Sequence, residues 1–188
     1  SIKQSEYLYI EDYLVASPTG RAASILARQI AEANQVKTSI SLSDPNMASY
    51  FRNEMLAIIG TQVDVLFCNA DEAVIFTQSV GLDEAKERLK QYARTFVITL
   101  GADGALVYNG RDYMHVPSYK ASVVDTVGAG DVFAGVFLYG ITHGQDYYTA
   151  ADLANYAAAK VVAKFGPRLS QEEISDVLAA DIGQQKFA

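Results

Sequence analysis

The strongest constraint on how this chain can fold is an alternation along it. Short runs rich in β-branched and aromatic residues take turns with longer stretches whose apolar residues fall at helical spacing. "EYLYI" (6–10) reads as a strand. "TGRAASILARQIAEANQ" (19–35) is Ala-rich with helical periodicity, and Thr19 stands where an N-cap is expected. "KTSISLSD" (37–44) alternates as a strand and ends at Asp44-Pro45, and "ASYFRNEMLAIIG" (48–60) reads as one helix closed by Gly60. "VDVLFCN" (63–69) is a short buried strand followed by a short helix in "ADEAVIFTQS" (70–79). "DEAKERLKQYA" (83–93) is an amphipathic helix whose acidic start and basic later turns suit the helix dipole. "TFVITLG" (95–101) is a strand, and "ALVYNGRDYMHVP" (105–117) a hairpin turning at Asn109-Gly110. Helices are expected to about residue 143, over 147–165, and from near Ser170. Such alternation builds an α/β fold with a mostly parallel sheet, because parallel strands need crossovers and helices then cover both faces. No repeat or linker interrupts it, so residues 1–188 are expected to form one domain or part of one.

Composition narrows the function. Half of the 188 residues are hydrophobic, one in five is charged and there are 4 prolines, which suits a globular domain with a sizeable core. The formal charge of −7, with no block of consecutive Lys or Arg, argues against nucleic acid as the main partner. A small phosphorylated ligand stays compatible, since backbone amides and a metal ion can hold it without net basicity. Cys68 is the single cysteine, so no disulfide forms within the chain. It follows "VDVLF" and is expected to be a buried small residue. His115 and His143 lack companions at ligand spacing, so no zinc site is assigned. The most apolar window, 123–141, is interrupted by Asp125 and Asp131 and is rich in glycine, so no membrane span is expected. With no leader-like opening, a cytoplasmic location is the expectation.

The run "DTVGAGDVFAGVFLYGI" (125–141) raises a chemical question. Gly128, Ala129 and Gly130 are small enough for a ligand to approach the backbone, and consecutive N–H groups at a helix start make an anion hole. Such a hole fits the charge on a transferring phosphoryl group. Asp131, in the first helical turn, can orient a hydroxyl and accept its proton. The steric reading stands beside this one, because Gly-x-Gly turns and first-turn aspartates are common at strand–helix junctions. No glycine is followed by lysine, which excludes a P-loop, and Phe133 occupies the third glycine's place of a dinucleotide fingerprint.

"DTVGAGD" resembles the second signature of the PfkB (ribokinase-like) family of carbohydrate and nucleoside kinases. "SLSDPNMASYFRNEMLAII" with "VDVLFCNADEA" is similar to the central stretch of adenosine kinase-like and sugar-kinase members. "VITLGADGALVY" resembles the family's nucleotide-binding strand and turn, and "ANYAAAKVVAKFGPR" its late adenine-side helix. The resemblance implies a ribokinase-like three-layer α/β fold, with a mostly parallel sheet flanked by helices. It also implies an ATP-dependent phosphotransferase acting on a hydroxymethyl group of a nucleoside or sugar, with ATP and Mg2+ and, in many members, a monovalent cation such as K+.

The implied roles fall on matching positions. Asp131 matches the catalytic base, and Gly128, Ala129 and Gly130 the backbone anion hole. Asp125 and Thr126 match signature positions near the phosphate and the monovalent cation. Asn69 and Glu72, in "NADE", match an N-x-x-E motif that acts on magnesium and phosphate, Glu72 holding the metal directly or through water. Read alone, they equally suit a helix cap and a first-turn acid. Thr99, Gly101 and Gly104, in "TLGADG", match the turn lining the nucleotide, and also read as an ordinary strand-ending turn. Asn155 lies where many members contact the adenine, and a polar residue on an exposed helix face would look the same. Arg52 and Arg168 suit phosphate contacts or surface charges.

The family usually carries an N-terminal section with a glycine-rich first signature and a small β-sheet lid, and no "GGN"-like stretch precedes Ser1. The chain therefore reads as the C-terminal part of such a kinase, its N-terminal part and lid missing. Two other readings stay open: a ribokinase- or fructokinase-type sugar kinase, and a non-catalytic nucleotide-binding relative.

Overall fold

The computed structural model describes residues 2–180. They group into two compact units, one built from the residues up to Ile98 with Tyr108–Asp112, the other from Thr99–Val107 with the residues from Tyr113 onward.

The first unit alternates strand and helix. Its elements are β1 (Tyr7–Glu11), α1 (Pro18–Ala33), β2 (Lys37–Ser41), α2 (Pro45–Tyr50), α3 (Arg52–Ile59), β3 (Val63–Asn69), α4 (Ala70–Thr77), α5 (Leu82–Leu89) and β4 (Ala93–Thr99). The strands lie in the order β1-β2-β3-β4. β1 runs parallel to β2 with Tyr7 opposite Lys37, and β2 parallel to β3 with Ser39 opposite Val65. Successive strand residues face opposite sides of a sheet, yet Val65–Cys68 and Phe96–Ile98 are buried without a break. Both faces of these strands are therefore covered, as the near-continuous apolar runs of a parallel α/β sheet require. Ile40, Ile58, Leu66, Phe76, Leu89 and Phe96 fill the core. Cys68 is buried as expected, and burial, followed by the charge of Glu72, holds its thiol well above the ordinary range.

Two local expectations change. The cap of α1 is Ser17, whose Oγ accepts from the Gly20 amide at 2.9 Å, while Thr19 lies inside the first turn. Pro18 at the first helical position explains the shift, since its fixed φ suits N1 and its absent N–H is not missed there. The helix expected over 48–60 is two. Asp44 Oδ1 accepts from the amides of Asn46 and Met47 and starts α2, and Phe51, at φ −118° and ψ 23°, separates it from α3. At this break Arg52 turns inward. Its Nε donates to the Phe76 carbonyl at 2.6 Å and its Nη2 to the Tyr92 hydroxyl at 3.2 Å. Arg52 is thus occupied in packing. Gly60 closes α3 as expected.

The second unit holds β5 (Ala105–Tyr108, through Val107), its neighbour β6 (Tyr113–Val116), α6 (Ala129–Thr142), α7 (Tyr147–Val162) and α8 (Gln171–Ala179). The connection between β5 and β6, which groups with the first unit, is the expected turn, with Asn109 Oδ1 accepting from the amides of Arg111 and Asp112 and Gly110 at φ 95°. α6 packs on α7 closely enough that a Cβ on Gly140 would stand 3.1 Å from the Ala150 Cα. Phe137 bridges them, stacked on Phe133 and edge-on to Tyr147. α7 is buried nearly all round, which its alanines permit. It stops at Val162, short of the expected 165, and Gly166 takes φ 93° in the turn beyond. Ser170 caps α8 in a reciprocal box with Glu173. Among the described residues no helix is long and apolar enough to cross a membrane.

Candidate functional site

The loop before α6 is built around two residues of the motif. Asp125 Oδ1 accepts from the Val127 amide at 3.0 Å and its Oδ2 from the Gly166 amide at 3.4 Å, while the amides of Val124 and Asp125 both donate to the Val162 carbonyl. Gly128 follows in the left-handed region at φ 80°, and a Cβ there would stand 2.4 Å from the Pro167 carbonyl oxygen. Conformation and contact both demand glycine. The α6 ladder begins with Val132 donating to the Gly128 carbonyl at 2.9 Å. The amides of Gly130 and Asp131 thus lie in the turn where a helix supplies no carbonyl of its own, the geometry that holds anions. Around the position of a Gly130 Cβ there is open space within 4 Å, and the Asp131 carboxylate is exposed in the same turn.

That turn opens on a cleft of about 690 Å³ inside the second unit. Of the residues singled out in the sequence, Thr99, Gly101, Gly104, Thr126, Ala129, Gly130 and Asn155 line it together. Gly101 (φ 60°) and Gly104 (φ 92°) shape the turn between β4 and β5, and a Cβ on Gly104 would stand 2.1 Å from the Val116 carbonyl oxygen. Gly128 and Asp125 act behind the lining, and Asp131 stands beside it on the first turn of α6. Asn155 is not on an exposed helix face: it is 4% exposed, and its Nδ2 donates to the carbonyls of Val116 and Pro117 at 3.0 and 3.3 Å. Most of the remaining lining is apolar, including Val123, Phe133, Ala158, Ala159 and Val162.

Asn69 and Glu72 belong to the first unit. They form a full capping box at the start of α4, Asn69 Oδ1 accepting from the Glu72 amide at 2.8 Å and Glu72 Oε2 from the Asn69 amide at 2.9 Å. Asn69 Nδ2 also donates to Glu72 Oε1 at 2.7 Å. The Glu72 side chain is buried, and its carboxyl is pushed up to about 7. Desolvation is the largest cause, and the carboxylates of Asp44, Glu11 and Asp71 add to it against the lowering effect of the Asn69 amide.

Two contributors were not evident from the sequence. His115 Nε2 donates to the Asp103 carbonyl at 2.8 Å and pins the turn that carries Gly101 and Gly104. Tyr119 lines the cleft, and its hydroxyl donates to Asp152 Oδ1 at 3.2 Å. Neither signal is local, since each pairing spans a dozen residues or more.

A helix N-terminus, two glycine-shaped turns and a largely apolar cleft thus come together in the second unit of an α/β protein. The chain belongs to the pfkB family of carbohydrate kinases, whose model matches residues 1–174. It is 33% identical to a ribokinase of Lactococcus lactis subsp. lactis (strain IL1403), over 62% of this chain and 38% of that one. It is 28% identical to an adenosine kinase of Saccharomyces cerevisiae, over 93% of this chain and 54% of the relative. The adenosine kinase structure from Sinorhizobium meliloti superposes with a TM-score of 0.87 at 33% identity, covering 95% of this chain and 56% of that one. A probable sugar kinase from Rhizobium etli CFN 42 superposes with a TM-score of 0.86 at 30% identity, covering 95% and 55%. The fold is thus the ribokinase-like α/β fold, and the chain spans about half the length of the curated relatives it matches.

Proposed function

We propose that this protein is an ATP-dependent phosphotransferase that phosphorylates a hydroxymethyl group of a nucleoside, adenosine-like, or of a sugar. The observation that carries this reading is the start of α6: the first-turn amides of Gly130 and Asp131, an exposed carboxylate in the same turn, and a cleft of nucleotide size beside them. In this reading the amides of Gly130 and Asp131 stabilise the phosphoryl group as it passes between oxygens. Of the 128–130 amides expected from the sequence, that of Ala129 donates to the Thr126 carbonyl at 3.3 Å. Asp131 orients the acceptor hydroxyl and takes its proton as that oxygen bonds to phosphorus and ADP departs. Thr126 and the Asp125 loop sit at the phosphate end, and a monovalent cation such as K+ beside that loop is part of the same reading. Thr99, Gly101, Gly104 and Asn155 bound the nucleotide. The family is named for carbohydrate kinases, and the relatives include both nucleoside and sugar kinases, which supports the coarse acceptor class.

Magnesium fits the chemistry of Asn69 and Glu72. Both offer hard oxygen atoms, and the surplus of negative charge that Asp44, Glu11 and Asp71 build around Glu72 is what a divalent cation would relieve. When bound, the ion would supply positive charge of the kind phosphoryl transfer calls for, and Glu72 would hold it directly or through water.

The test is phosphate transfer by the full-length protein across adenosine, other nucleosides, ribose and fructose, with Asp131→Asn as control. The expected result is one phosphorylated acceptor and a loss of turnover of about 10²- to 10⁴-fold in the variant with ATP binding kept. Turnover that survives the substitution refutes the base assignment. ATP binding without transfer to any acceptor favours a non-catalytic relative.

A further inference from the structure

Asn155 and Tyr119 are two ties between α7 and the segment that follows β6. Both acceptors of the Asn155 amide are carbonyl oxygens, so its nitrogen is fixed toward Val116 and Pro117 and its two hydrogens are spent there. One turn earlier on α7, Asp152 is 8% exposed, and its Oδ1 accepts from the Tyr119 hydroxyl at 3.2 Å. The Tyr119 ring also lies edge-on to Tyr156, with centroids 5.2 Å apart. Burial, followed by the charge of Asp152, raises the phenol far above its ordinary range, so Tyr119 remains a donor at every working pH.

Tyr119 is at the same time part of the cleft lining, as are Ala158, Ala159 and Val162 of α7. Those α7 side chains are apolar and two of them are alanines, so this part of the cleft suits a flat aromatic ring. The other aromatic lining residue, Phe133, is 2% exposed and belongs to the α6–α7 core. We propose that Tyr119, strapped to α7 by Asp152, is the wall against which the aromatic base of the phosphate donor packs, so that this pair sets donor affinity. The inference rests on the reading of the cleft as a nucleotide site. Asp152 acts through Tyr119 and is a positioning residue. Tyr119 contacts the base by shape and stacking, which every aromatic base offers.

The experiment uses the full-length protein, with calorimetric binding of ATP and of inorganic tripolyphosphate, and with KM measured separately for ATP and for the acceptor. Tyr119→Ala is expected to weaken ATP by about 10- to 100-fold, the range of a lost base–aromatic contact. Tyr119→Phe and Asp152→Ala, which keep the ring but cut the strap, are expected to weaken ATP by about 3- to 10-fold. Asp152→Asn, which keeps an acceptor oxygen, is expected to restore wild-type behaviour. Tripolyphosphate binding and the acceptor KM stay unchanged in all four variants. ATP affinity untouched by Tyr119→Ala, or ATP and tripolyphosphate falling together, overturns the role of Tyr119 alone. A wild-type protein that binds no nucleotide overturns the nucleotide reading and this inference with it.

Discussion

Replacing Gly128 by alanine tests whether the loop before α6 is as tightly determined as its geometry says. Gly128 holds φ 80°, a conformation that costs a residue with a Cβ about 1–2 kcal/mol. The added carbon would also stand 2.4 Å from the Pro167 carbonyl oxygen and 2.7 Å from its Cα, and backbone atoms cannot swing aside as a side chain can. Relieving such a contact costs about 1–3 kcal/mol. The loop cannot simply retreat, because Asp125 and Val124 tie it to Val162 and Gly166 in the same segment that carries Pro167. The sum is a loss of about 2–5 kcal/mol, read as a lower urea midpoint at constant slope. Gly130→Ala is the matched control. No atom lies within 4 Å of its added carbon and its φ is not positive, so helix propensity predicts a gain of about 0.5–1 kcal/mol. That carbon nevertheless stands on the cleft lining beside the α6 amides, so phosphate binding is expected to weaken while stability holds or rises. A neutral Gly128→Ala, or a Gly130→Ala as destabilising as it, would refute the reasoning.

Two further outcomes follow from the first unit. Glu72 has its carboxyl raised from 4.5 to about 7 in the folded protein, so between those values the unfolded chain ionises first and stability falls as pH rises, levelling above about 7. The full loss is about 3 kcal/mol at most, and Glu72→Gln, measured by unfolding with chelator present at pH 5 and pH 8, is expected to flatten that slope. An unchanged slope would remove Glu72 as its source. Ser17→Ala is expected to cost about 1 kcal/mol through the lost cap while Thr19→Ala stays near neutral, and a reversed order in thermal unfolding would contradict the assigned start of α1.

Much of the site was legible because its signals are local. The small residues at 128–130, the first-turn Asp131 and the glycines of "TLGADG" announce backbone shapes that depend on a few adjacent residues, and the loop and turn in the structure take those shapes. The capping chemistry of Asn69 and Glu72 was legible for the same reason. What sequence could not announce was which groups meet across tens of residues. The cap of α1 lies two positions before Thr19 because Pro18 and Ser17 together outweigh it, and the helical pattern over 48–60 is interrupted where Arg52 finds partners 24 and 40 residues away.

The chain by itself determined the alternation of strands and helices, the covered parallel strands it requires, and the glycine-shaped turn into α6. Those follow from side-chain periodicity, caps and glycine conformations, all of which act within a turn or two. Tertiary structure alone decided that Pro167 would demand glycine at 128, and that burial, with Asp44 and Glu11 adding to it, would raise Glu72. It alone also decided that Asn155 would spend its amide on backbone, and that Tyr119 would be held by Asp152. The reason is physical: packing distance and burial set these interactions, and neither is a property of any short stretch of sequence.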